Sequence, residues 1–84
     1  MAQIAGRRIK LETTGAIVTV HADVTLDRIV EACERRASSL EDPGFCIDCG
    51  QEASQVEPDA REYKCESCGM YCVFGAEELL LMLA

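Results

Sequence analysis

Four of the six cysteines in this 84-residue chain are spaced for a single task. Cys46-Ile47-Asp48-Cys49-Gly50 and Cys65-Glu66-Ser67-Cys68-Gly69 are Cys-x-x-Cys pairs, each followed by glycine, with the fifteen residues 50–64 between them. Such a pair sets two sulfurs on one side of a tight turn. The next residue must bend the chain back over them, at a positive φ that glycine adopts without steric cost. The N–H groups of the turn can donate to thiolate sulfur and share its charge. Two turns together offer four thiolates, the donor set of a closed tetrahedral zinc site. Cys46, Cys49, Cys65 and Cys68 are therefore the expected ligands of one structural Zn2+ ion.

Other uses of paired cysteines fit less well. A disulfide framework needs an oxidising compartment. Met1–Gly6 runs straight into Arg7-Arg8 with no apolar segment behind it, so the expectation is a cytoplasmic protein without a secretory leader. A thioredoxin-like redox pair calls for one Cys-x-x-Cys beside a βαβ pattern, which is not visible. A catalytic zinc keeps an open position, commonly with histidine among its ligands, whereas four cysteines close the shell. With no Ser/His/Asp set, paired acids or phosphate loop, the sequence points away from an enzyme. Cys33 and Cys72 read as packing residues, and His21 as a surface residue. Arg61 and Lys64, the cations between the pairs, read as solvated side chains.

The formal net charge is −7. Four thiolates and one Zn2+ take the metal-bound form to roughly −9. That is the wrong sign for gripping a phosphate backbone. Nucleic acid is thus not the expected partner; the acidity reads first as plain solubility, and more sharply as a fit to a protein partner with a basic surface. No apolar run approaches the ~20 residues of a membrane span. The length suits one domain near the lower limit for a self-sufficient core, where a metal staple counts for most.

The elements that must position the cysteines are also legible. Arg7–Glu12 alternates apolar with polar residues and Ala16–His21 is β-branched and apolar, so the two predict a β-hairpin around Thr13-Thr14-Gly15, with the facing of Ile17 against Val18 left open. Asp23 or Thr25 then caps a helix that runs to about Leu40, with Asp27 in its first turn. Its apolar stripe is Leu26, Val30, Cys33, Ala37 and Leu40, widened by Ile29. The stripe suits packing on the sheet, or a seam between two copies and hence a homodimer. Glu31, Glu34, Arg35 and Arg36 fall on the outer face. Asp42-Pro43-Gly44 ends the helix just before the first cysteine pair. Between the pairs, Ala53–Glu57 and Arg61–Lys64 read as short strands joined by a turn at Glu57-Pro58-Asp59-Ala60. Tyr63 is placed to shield the metal. Met70–Phe74 reads as a strand, and Ala76–Leu83 as a short helix so apolar that most of it must be covered. The expected fold is a small α+β domain over residues 1–84: hairpin and amphipathic helix in 1–42, a four-cysteine zinc unit and terminal helix in 43–84.

Phe45–Gly69 resembles the zinc-ribbon family through its two Cys-x-x-Cys-Gly motifs. The wider run from Gly44 to Leu79, about half the chain, resembles small zinc-ribbon proteins of bacteria and their phages through Gly44–Gly50, Val56–Arg61 and Gly75-Ala76-Glu77-Glu78-Leu79. In a phage setting, the acidic surface would suit a regulator or inhibitor of a host complex, including a defence complex. Cys46-Ile47-Asp48-Cys49-Gly50 and Pro58-x-Ala60 are also similar to the finger of the DksA/TraR group, which binds RNA polymerase. The spacer here is shorter and the long coiled coil of that group is missing. This similarity implies the rival role, a transcription-associated factor that meets polymerase or DNA.

Overall fold

The computed structural model describes residues 4–83. It has two antiparallel sheets and two helices. β1 (Arg8–Lys10) and β2 (Ile17–Thr19) form the hairpin, with Ile9 opposite Val18. α1 (Leu26–Ser38) follows. β3 (Gly44–Cys46), β4 (Glu52–Ala53) and β5 (Val73–Gly75) form the second sheet in the order β4-β3-β5. α2 (Ala76–Leu83) begins directly at the end of β5 and packs against α1. The small α+β architecture is the one expected. Among the described residues no helix is long and apolar enough to cross a membrane.

One buried cluster draws on every part of this arrangement. The hairpin contributes Leu11, Val18 and Val20, and α1 contributes Ile29 and Ala32. The second sheet supplies Phe45 and Phe74, which face each other across β3 and β5, and α2 supplies Leu79 and Leu83. In the hairpin, Val18 and Val20 turn inward and Ile17 outward, which fixes a facing that alternation alone left open. Cys72, Val73 and Phe74 are all buried, so both faces of β5 are covered, while Met70 and Tyr71 stay exposed. The strand therefore starts three residues later than expected, because Met70 still belongs to the second cysteine turn: its carbonyl accepts from Cys65 N–H.

α1 departs from the expected reading in two ways. Thr25 is the N-cap, its side-chain oxygen accepting from Arg28 N–H. The helix stops at Ser38, before Leu40, because Ser39 is already extended. The hydroxyls of Ser38 and Ser39 donate to carbonyls of the last turn, and Leu40 is fully exposed. The buried face is also rotated. Ile29 and Ala32 are inside, whereas Val30 and Ala37 lie at the surface. The two arginines assigned to the outer face follow the rotation. Arg36 turns inward to Asp42 and to Glu77 of α2, and Arg35 bridges Glu31, Glu41 and Glu52. Burial of Ile29 and Ala32 is the larger contribution, and the ion pairs add to it.

The spacer contains less strand than expected. Gln55 and Glu62 sit at φ 57° and 58°, which breaks any strand through either position. Only Glu52–Ala53 pairs as β4, and Tyr63 makes one isolated bridge to Val73. The turn at 57–60 is present, with Ala60 N–H donating to the Glu57 carbonyl. It seats the start of α2: Gly75 N–H donates to Ala60 O and Glu78 N–H to Pro58 O. Two donors near a helix start that lack helical partners are satisfied this way.

The rotated face makes a testable distinction. Ile29→Ala removes a fully buried side chain and should cost about 3 kcal/mol. Leu40→Ala should change stability by less than about 0.5 kcal/mol. Chemical denaturation of the two variants checks this, and similar losses at both sites would contradict the observed facing.

Candidate metal centre

The first cysteine turn grows out of β3, which ends at Cys46, and the second follows the Tyr63–Val73 bridge. Both repeat one geometry. Cys46 N–H donates to Gln51 O and Gly50 N–H to Cys46 O; Cys65 N–H donates to Met70 O and Gly69 N–H to Cys65 O. Gly50 and Gly69 have φ of 81° and 80°, as the turn requires. Two copies of the same hooked turn thus face each other and present four sulfurs.

Those four Sγ atoms, of Cys46, Cys49, Cys65 and Cys68, all lie within 4.8 Å of one another. Across the turns, Cys46 and Cys68 are 3.7 Å apart and Cys49 and Cys65 3.6 Å. A tetrahedron of sulfurs around a centre at 2.3 Å has edges of about 3.8 Å. The donor set and its spacing therefore fit a single tetrahedral ion. Cys68 N–H points at Cys65 Sγ at 3.5 Å, a donor suited to a thiolate. All four expected ligands are brought together, and no other His, Cys, Asp or Glu of the described residues joins them.

The protons are held unequally. Burial pushes the Cys46 and Cys49 thiols up. Desolvation also acts to raise Cys65, but backbone N–H groups of Cys68 and Ser67 outweigh it and bring that thiol down to about 7. Cys72 is fully buried and burial pushes it up to about 11, as befits a packing residue. Burial likewise raises Cys33, which sits half-buried on α1.

The first turn is anchored to the N-terminal half on two sides. His21 N–H donates to Ile47 O at 2.7 Å, and Ile47 N–H donates to Cys72 O. Arg28 of α1 lies over the Phe45 ring, 4.8 Å from its centroid, and donates to Gly50 O at 3.1 Å. His21 is more than a surface residue. Its ring supports the β2–α1 loop by accepting from Asp23 N–H at Nδ1, so close to the turn that a Cβ on Gly50 would come within 2.8 Å of that nitrogen.

Arg61 also differs from its expected solvated role. It donates to Glu78, a nearly buried carboxylate of α2, through Nε at 2.7 Å, and to Glu12 of the hairpin at 2.8 Å. Next to it, the Glu62 carboxylate accepts from the Thr13 hydroxyl and from the N–H groups of Glu12 and Thr13, which lowers its pKa. The spacer thus latches the hairpin tip. No local sequence signal marks the hairpin partners, since Glu12 lies 49 residues from Arg61 and 50 from Glu62. Lys64 is exposed, as expected, and Tyr63 is 41% exposed, with its backbone paired to Val73.

No family model, curated protein or solved structure matches this chain. Four cysteine sulfurs from two matched turns form a cluster that could hold one metal ion.

Two outcomes follow. Gly69 has open space where a Cβ would go, so Gly69→Ala carries only the backbone penalty, about 1 kcal/mol. Gly50→Ala adds a clash with His21 and Asp23 and should cost about 3 kcal/mol, as read by thermal or chemical denaturation. Ligation also needs thiolates, and the thiols of an unfolded, metal-free chain are mostly protonated near pH 7. Metal binding should then release protons, so affinity rises with pH and falls on acidification. Chelator competition at two pH values measures the slope, and a flat profile would exclude the four-thiol site.

Proposed function

We propose that this chain is a non-enzymatic module built on one structural zinc ion, whose task is to recognise a protein partner with a basic surface. In the phage setting that the resemblance suggests, it would act as an acidic regulator or inhibitor of a host complex. The observation that carries the zinc reading is the sulfur cluster, with cross-turn distances of 3.6 and 3.7 Å. Zinc is the metal favoured by a tetrahedral all-thiolate set. A shell of four protein ligands leaves no position for water or substrate, which supports a structural role over a catalytic one.

The partner reading is supported by how charge is distributed. Of the eight basic residues, Arg35, Arg36 and Arg61 are engaged with carboxylates, and Arg7 and Arg28 donate to backbone carbonyls. Asp48 and Glu66, at the tips of the two cysteine turns, are exposed acids. Nucleic-acid-binding zinc modules need positive charge where they meet phosphate. The protein-partner reading therefore has more support here than contact with DNA.

Two measurements test this. Elemental analysis of purified protein should give one zinc per chain. Its removal by a strong chelator should abolish the folded far-UV circular dichroism signal, because zinc ligation is worth about 10–16 kcal/mol in peptide models, against a total of about 5–15 for a domain. Retained structure without metal would contradict the structural role. In fluorescence anisotropy, duplex DNA should show no binding at physiological salt. Tight binding that weakens steeply with salt would replace this reading with the transcription-associated one.

A further inference from the structure

The apolar stripe read from the α1 sequence is real, but much of it is not used by the fold. Ile29 and Ala32 take the interior, while Val30 is 39% exposed, Ala37 is exposed, and Leu26 and Cys33 are half-buried. Leu26, Val30, Cys33 and Ala37 step by four, three and four, so they form one line along the helix. α2 lies beside that line. Its Glu77 meets Arg36 in the last turn of α1. The carbonyl of Leu83, at its other end, accepts from Arg7, whose own carbonyl accepts from Val20 N–H, just before the loop into α1. The helices therefore run antiparallel, and α2 adds Leu80, half-buried, and Leu81, 81% exposed. The two helices together leave an apolar strip at the surface.

The rim of the strip selects what fits it. Asp27, Glu31 and Glu34 follow the same four-and-three spacing one position further round, so an acidic row runs along the open side of α1. Glu31 is paired with Arg35, whereas Asp27 and Glu34 make no ion pair among the described residues. A second copy is a poor occupant. An antiparallel pairing sets the acidic row against itself, and a parallel one needs the opposite flank, already committed to the core through Ile29 and Arg36. Two chains of net charge −7 also repel each other.

We infer that this α1–α2 strip is a docking surface for an amphipathic helix of another protein, one with an apolar face flanked by lysine or arginine. The leucine and valine side chains provide the apolar contact, and Asp27 and Glu34 set orientation and charge preference. The inference deepens the partner reading above and rests on it, but it does not depend on the identity of the metal.

The test uses the full chain as purified and two model helical peptides of about 20 residues. They share one leucine stripe, flanked by lysines in the first and glutamates in the second. Isothermal titration calorimetry should show binding of the lysine peptide only, with NMR shift changes confined to α1 and α2. Val30→Ser with Leu81→Ser, at surface positions that leave the fold intact by circular dichroism, should weaken binding at least about tenfold. Asp27→Asn with Glu34→Gln should remove most of its salt dependence. Binding that ignores the Val30 and Leu81 changes would reveal general attraction to an acidic protein and overturn the inference. So would no binding of either peptide, or a dimer in sedimentation equilibrium that the Val30 and Leu81 changes dissociate. The metal assays above are read separately, so failure of the surface and failure of the zinc reading are distinguishable.

Discussion

Four sulfurs drawn to within 4.8 Å of one another are the constraint on which the C-terminal half depends. Such a cluster is unfavourable as thiols alone and repulsive as thiolates alone; a divalent cation makes it stable. Everything around it is arranged to deliver the sulfurs. β3 ends at Cys46, the Tyr63–Val73 bridge leads into Cys65, and the two turns close with the same hydrogen bonds. An 84-residue chain buries too little apolar surface for wide safety margins, so a staple of this kind changes what the domain can tolerate.

The staple is not isolated from the rest. The His21–Ile47 backbone bond and Arg28 over Phe45 and Gly50 join the first turn to the hairpin and α1. On the far side, Glu62 holds the hairpin tip, and Arg61 links Glu78 with Glu12. Exposed ion pairs individually contribute little. Together, those of Arg35, Arg36 and Arg61 tie one element to another: α1 to β4 and α2, and the spacer to α2 and the hairpin.

The cysteine positions were legible in the sequence because spacing and following glycines express a local geometry. The hairpin and α2 were legible for the same reason, as their patterns are contained within a few residues. The buried face of α1 was not. Ala32 carries almost no hydrophobic signal, and Arg35 and Arg36 find carboxylates on other elements that their sequence positions do not reveal. The spacer strands failed on backbone angles at Gln55 and Glu62, residue types that do not announce a positive φ. Arg61 looked like a solvated charge because its partners, Glu12 and Glu78, lie on other elements. Local chemistry was readable, and long-range polar pairing was not.

The central claim is that one ion sits among Cys46, Cys49, Cys65 and Cys68. X-ray absorption at the zinc edge of the protein as isolated tests it most directly. The account predicts a first shell of four sulfurs at about 2.3 Å and no nitrogen or oxygen. A shell containing light-atom ligands, or the absence of a zinc edge, would contradict it.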